Sequence, residues 1–140
     1  MRARAAARYG ILLALILLLG FLERQLPPAS TVPGLRIGLG NSALLLTLLC
    51  FGAGGAWALA ILKPVLCGLL FSGATGMLYA LAGSVCAMLA MTAGAHSRKL
   101  SPVGVSVLGA CAHMAGQMCV SRFMLGSWAA LLQAPLLLAG

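Results

Sequence analysis

The chain has 140 residues, of which 62% are hydrophobic and 7% are charged, and its formal net charge is +8. Because a soluble domain carries roughly 25% charged residues, too few polar side chains remain here to cover a water-facing surface. The basic residues flank apolar runs instead of forming a patch with interleaved aromatic residues, so the charge favours a membrane protein and excludes a nucleic-acid partner.

The first apolar run, residues 9–22, predicts a transmembrane helix preceded by Arg2, Arg4 and Arg8. Arginines before a short apolar core also fit a secretory signal peptide. The residues that follow offer no convincing small-x-small cleavage site, so we favour a retained helix. Residues 23–40 are rich in proline and glycine and predict an outer loop that contains Arg36.

The next apolar run, residues 41–71, exceeds the ~20 residues that one span needs and is interrupted by glycines. We therefore expect two helices, about 39–52 and 55–71, joined by a tight glycine turn. A fourth helix, about 72–95, carries a stripe of small residues that would let helix backbones approach closely: Gly76, Ala80, Gly83, Ala87 and Gly94.

Ser101 and Pro102 predict the N-cap and the first position of a fifth helix, about 102–126. The last apolar run, 128–140, predicts a sixth helix that is short for a span. The fold class is therefore all-α: a single integral membrane domain, residues 1–140, with about six transmembrane helices. The positive-inside rule then places the N-terminus and the Arg98–Lys99 turn in the cytoplasm.

One face of helix five, at about 100° per residue, carries Ser106, Gly109, His113, Gln117 and Ser121. Polar groups are costly in lipid and normally face a bundle interior or a cavity, which makes Ser106, His113 and Gln117 candidates for ligand contact. The alternative is that they only form hydrogen bonds with neighbouring helices.

Lys63 lies near the middle of helix three, directly before Pro64, and a lysine at mid-membrane is a functional candidate. It could bind an anionic ligand, contact backbone carbonyls, lie neutral, or extend toward an interface. Arg36 and Asn41 are further candidates, with a solvated loop arginine and a helix N-cap asparagine as the alternatives. Tyr79 could line the same pocket or serve only in packing.

Catalysis by this chain is not expected. Prenyl transfer generally needs aspartate-rich sites that hold magnesium, whereas Glu23 is the only acidic residue, and the chain has no P-loop. The cysteines and methionines could suggest a soft-metal site, but in apolar helices these residues more often serve in packing. We expect no metal and no cofactor.

Three segments carry a resemblance to a known family: PGLRIGLGN at 33–41, LSPVGVS at 100–106 and GACAHMAGQ at 109–117. They resemble the bacterial Gx transporter family, whose members are often named heptaprenyl diphosphate synthase component I. The similarity covers about residues 26–128 and includes a basic residue in helix three. Arg36 replaces a commoner lysine, Gly40 stands where alanine is usual, Met114 replaces an asparagine, and the C-terminus looks shorter than the family's.

The resemblance implies a compact six-helix protein of the bacterial cytoplasmic (inner) membrane. It is similar to the substrate-binding S components of energy-coupling-factor transporters, in which the loop after helix one covers an outer pocket. The first hypothesis is therefore a substrate-binding subunit or small transporter for an anionic or polar ligand, with an ATPase and transmembrane coupling module as its partner.

The second hypothesis is an accessory membrane subunit in prenyl diphosphate or quinone biosynthesis, or in associated electron transfer, with a soluble prenyl synthase subunit as its partner. A purely structural scaffold is a third. For the first hypothesis we expect these ligand-binding residues: Arg36, Asn41, Lys63, Tyr79, Ser106, His113 and Gln117.

Overall fold

The computed structural model describes residues 2–25, 39–97 and 99–125, and within these ranges the chain folds into five α-helices. They are α1 (Arg2–Gln25), α2 (Leu39–Phe51), α3 (Ala53–Cys67), α4 (Gly73–Ser97) and α5 (Pro102–Leu125). A π-helical segment, Gly68–Ser72, links α3 to α4. The predicted all-α class is confirmed for the described part of the chain.

Three helical stretches are long and apolar enough to cross a membrane: Ala53–Leu70, Gly73–Ser97 and Pro102–Met124. Two shorter apolar stretches, Ala6–Leu22 and Gly40–Phe51, accompany them. These stretches support a membrane protein, but six crossings are not confirmed. The predicted sixth helix, 128–140, and residues 26–38 of the predicted loop lie outside the described residues.

The first helix is longer than predicted at both ends, since α1 begins at Arg2 and ends at Gln25 instead of covering 9–22. The prediction followed the apolar run, whereas helix formation depends on backbone propensity. Alanine and arginine, which make up all of residues 2–8, are both strong helix formers. The predicted 23–40 loop is correspondingly too long, because its ends belong to α1 and α2.

Glycines at positive φ separate the next three helices. Gly52, between α2 and α3, has φ 84°, and Gly73, at the start of α4, has φ 68°. Side chains with a Cβ rarely adopt this conformation, so glycine is the residue that allows each sharp change of direction. The predicted glycine turn is thus present, although it lies at Gly52, and α3 begins before the predicted residue 55.

The start of α5 follows the predicted capping pattern. The Ser101 hydroxyl oxygen accepts a hydrogen bond from the backbone N–H of Gly104 at 3.2 Å, and Pro102 is the first helical residue. The cap satisfies one of the N–H groups that a helix start leaves without an intrahelical partner.

Consecutive helices from α2 to α5 run antiparallel. Gly40 of α2 lies beside Lys63 of α3, and Gly83 of α4 lies beside His113 of α5. One end of the bundle holds the start of α2 and the end of α5, and we call it the Gly40 end. The opposite end holds the Gly52 turn, and we call it the Gly52 end. Tyr9 of α1 packs on Gly55 and contacts Phe51 edge to face, with ring centroids 6.4 Å apart, at the Gly52 end.

The core contains aliphatic, alanine and methionine side chains from all five helices: Ile16, Leu44, Leu45, Leu48, Ala56, Leu59, Ala60, Ala87, Met88, Met91 and Val105. α2 contacts each of the other four helices. The outward surface is also apolar, and Phe123, Leu69 and Val103 are 90%, 75% and 72% exposed. An apolar surface outside an apolar core is typical of a protein surrounded by hydrocarbon.

Candidate functional site: polar groups inside the bundle

The amino group of Lys63 lies against the first turn of α2. A Cβ placed on Gly40 would be 2.5 Å from Lys63 Nζ and 3.3 Å from Cε, so only a residue without a side chain leaves the ammonium this position. Gly40 is buried and Lys63 is half-buried. The contact is between helices, and the spacing of residues along the sequence gave no sign of it.

The start of α2 lies well inside the bundle instead of at its end. Because Lys63 is nine residues before the end of the π-helical segment at Ser72, α3 and that segment extend roughly 12 Å beyond Gly40. The thirteen-residue α2 is about 20 Å long, less than the ~30 Å thickness of a hydrocarbon core. The N–H groups of its first turn and the Lys63 ammonium therefore share one depth within the bundle.

Both groups at this position are electropositive. The amino end of a helix carries a partial positive charge, and a neighbouring cation is unfavourable there unless an anion balances the two. A negatively charged group at the start of α2 would interact favourably with both.

Asn41 is the third residue of α2, so it is not the N-cap that the sequence suggested. The N-cap role was the alternative to ligand contact, and α2 begins at Leu39, in agreement with the predicted helix of about 39–52. Asn41 is half-buried and follows Gly40 directly. Arg36, the other candidate next to this helix, lies outside the described residues.

His113 packs on the backbone of α4. A Cβ on Gly83 would be 2.8 Å from both Cε1 and Nε2 of the imidazole ring and 2.9 Å from Nδ1. The small residue at position 83 thus provides the space that the ring occupies. Gly83 belongs to the predicted stripe of small residues, but the sequence did not indicate that it faces the histidine.

Gln117 forms a hydrogen bond with His113 at 3.2 Å between the two Nε2 atoms. If the carboxamide nitrogen donates, the imidazole accepts through Nε2 and carries its proton on Nδ1. Both side chains are half-buried, so the predicted polar face of helix five points toward α4 and away from the apolar exterior. The bond leaves the carboxamide oxygen of Gln117 available as an acceptor on the same face.

Ser106 and Tyr79 are placed differently. Ser106 is seven residues from His113 toward the Gly52 end, about 10.5 Å along the axis of α5, so it does not lie at the depth of the histidine. Tyr79 is half-buried in the first two turns of α4, at the Gly40 end. The structure therefore places Lys63 beside Gly40, and it places His113 beside Gly83 and Gln117. Ser106 belongs to neither of these two groups.

One buried polar group that was not among the predicted ligand contacts lies on the same face. Ser121, one helical turn beyond Gln117, is fully buried, and its Oγ has no hydrogen-bond partner within the described ranges. The sequence placed Ser121 on this face, but only the structure shows that its hydroxyl is buried in this way.

An apolar helical bundle that holds Lys63, His113 and Gln117 between its helices is typical of a membrane protein. The chain belongs to the heptaprenyl diphosphate synthase component I family, whose family model matches residues 12–140. This match confirms the resemblance drawn from the sequence motifs, and the family name implies a partner synthase component. No protein of curated function and no solved structure matched the chain.

Proposed function

We propose that this protein is a substrate-binding integral membrane subunit of the Gx or S-component type, which binds a small anionic or polar ligand. Lys63, with the start of α2 and Asn41, binds the negative charge, and His113 and Gln117 provide hydrogen bonds. Arg36 is a further proposed contact, Tyr79 contributes from the Gly40 end, and Ser106 is the most peripheral of the proposed contacts. The protein is a multi-pass protein of the bacterial inner membrane with a cytoplasmic N-terminus.

The observation that carries this proposal is the position of the Lys63 ammonium over Gly40 in the first turn of α2. Interrupted or short helices whose amino ends lie within a membrane bundle are a recurring way to bind anionic substrate groups near mid-membrane. A cation beside such a helix start adds a direct ionic contact to the dipole effect. The site needs no metal and no cofactor for this role.

The same observation gives the expected strength of the site. A hydrogen bond to a charged group contributes about 1.5–3 kcal/mol, which corresponds to roughly a ten- to hundredfold change in affinity. Removal of the Lys63 ammonium should therefore weaken the binding of an anion by at least tenfold. A purely structural lysine would change stability instead.

The partner proposed for this function is an ATPase with a transmembrane coupling module, which would supply energy that a chain with no P-loop and a single carboxylate side chain does not provide itself. This partner is proposed by analogy with S components alone.

The second candidate function is that of an accessory membrane subunit in prenyl diphosphate or quinone biosynthesis, or in associated electron transfer, and the family name favours it. In that case the anionic group at Lys63 would be the diphosphate of a lipid-like molecule, and a soluble prenyl synthase would be the partner.

The test uses the protein in lipid nanodiscs, with hexanoate and hexyl phosphate as probes, and measures dissociation constants by calorimetry. The variant is Lys63→Met, and the matched control is Lys99→Met, which removes an exposed lysine from the α4–α5 connection. We expect Lys63→Met to raise the dissociation constant at least tenfold and Lys99→Met to leave it nearly unchanged. Equal affinity in Lys63→Met and the wild type would overturn the proposal.

The two candidate functions are separated by purification from cells. Stable association with an ATPase-containing module favours the transporter subunit. Co-purification with a soluble prenyl synthase, together with a strong preference for hexyl phosphate over hexanoate, favours the accessory subunit.

A further inference from the structure

The inner face of α5 holds three polar side chains at successive turns, His113, Gln117 and Ser121, and they are not equivalent. His113 and Gln117 are joined by the 3.2 Å hydrogen bond. Ser121, although 0% exposed, has an Oγ without a hydrogen-bond partner in the described part of the chain. A buried hydroxyl in this condition loses its hydration without compensation, which is unfavourable.

Ser121 follows Gln117 by one turn of α5, about 6 Å along the helix axis, on the same inner face. A serine hydroxyl can both donate and accept a hydrogen bond. A hydroxyl, carbonyl or amide group that reaches this face of α5 could therefore bond to Ser121 Oγ.

We infer that Ser121 contacts the ligand, and that the ligand carries an uncharged hydrogen-bonding group in addition to its anionic group. The inference rests on the proposed function, in which Lys63 binds the anion, and it narrows the substrate class. A prenyl diphosphate has only hydrocarbon beyond its charged end, so with that end at Lys63 it offers no further hydrogen-bonding group to Ser121. The inference therefore favours a polar metabolite over a lipid-like diphosphate.

The competing explanation for the buried Ser121 hydroxyl is a fixed water molecule that bridges Gln117 and Ser121. The two explanations predict opposite effects of Ser121→Ala on the melting temperature of the ligand-free protein. If the hydroxyl has no partner until the ligand binds, Ser121→Ala removes an unfavourable buried group and raises the melting temperature. If a permanent water bonds to it, Ser121→Ala breaks that network and lowers the melting temperature.

The experiment compares wild type, Ser121→Ala and Thr92→Val in nanodiscs. Thr92 also has a buried hydroxyl without a partner in the described ranges, but it lies nine residues beyond Gly83 toward the Gly52 end of α4. The probes are ω-hydroxy carboxylates of increasing chain length and their unsubstituted parents. Melting temperatures are measured without probe, and dissociation constants are measured with each probe.

We expect at least one hydroxylated probe to bind wild type about three- to tenfold more tightly than its parent, as one added hydrogen bond predicts. Ser121→Ala should abolish that preference while raising the melting temperature without probe. Thr92→Val should also raise the melting temperature but keep the preference.

Three results would overturn the inference: a lower melting temperature in Ser121→Ala, an unchanged preference in that variant, or no hydroxylated probe preferred by wild type. The proposed function survives any of these three results if the parent carboxylates bind wild type tightly and Lys63→Met loses that binding. If no carboxylate binds wild type, the proposed function fails and the inference fails with it.

Discussion

The contact between Gly83 and His113 predicts a sharp effect of a single methyl group. In Gly83→Ala the new Cβ would lie 2.8 Å from two atoms of the imidazole ring, whereas non-bonded carbon atoms prefer about 3.5–4.0 Å. The ring must therefore retreat by roughly 0.7–1.2 Å. Its hydrogen bond with Gln117, already 3.2 Å long, would then exceed the length at which it contributes.

The expected free-energy change combines three effects. Overpacking costs about 1–3 kcal/mol, and the lost interaction between polar side chains in the membrane costs about 0.6 kcal/mol. Alanine regains about 1 kcal/mol of helix propensity relative to glycine. The sum is a net destabilisation of about 0.6–2.6 kcal/mol, measured as the free energy of unfolding in a detergent titration.

The assay is a double-mutant cycle with His113→Ala, which removes the ring and leaves space for the new methyl group. Gly83→Ala should lose its destabilising effect in that background. Gly10→Ala is the control, because a Cβ on this exposed glycine of α1 meets no atom within 4 Å, so it should be neutral or slightly stabilising. Equal destabilisation by Gly83→Ala with and without the histidine ring would refute the proposed contact.

Two further effects on stability follow from the same packing. In Gly116→Ala the Cβ would lie 2.7 Å from the carbonyl oxygen of Ala82, and a backbone atom cannot turn away as a side chain can. We therefore expect a larger loss of stability, about 2–4 kcal/mol, in the same detergent titration. His113→Ala should not restore this loss. Ser101→Ala removes the acceptor for the Gly104 N–H, so thermal unfolding should show a loss of about 1 kcal/mol, which Ser101→Asp should largely avoid.

Local features of the chain were predictable from sequence because neighbouring residues determine them. Ser101 and Pro102 define the start of α5 through hydrogen bonding and ring geometry within one turn. A glycine between two apolar runs indicated the turn that the structure places at Gly52, whose positive φ disfavours other residues. The inward direction of His113 and Gln117 also followed from helical periodicity.

Features that depend on contacts between helices could not be predicted in the same way. The position of Lys63 over Gly40 depends on how far α2 and α3 are offset, and no residue spacing within either helix encodes that offset. The position of Ser121 depends in the same way on the helices that cover it. The extent of α1 was underestimated because alanine and arginine continue a helix beyond its apolar part.

The most direct test of the internal anion site is an experimental structure determined in lipid with selenate present, located by the anomalous signal of selenium. We expect selenate within hydrogen-bond distance of Lys63 Nζ at the first turn of α2, with the ammonium facing the bundle interior. A lysine that points into the acyl chains, with no selenate at the start of α2, would contradict this assignment.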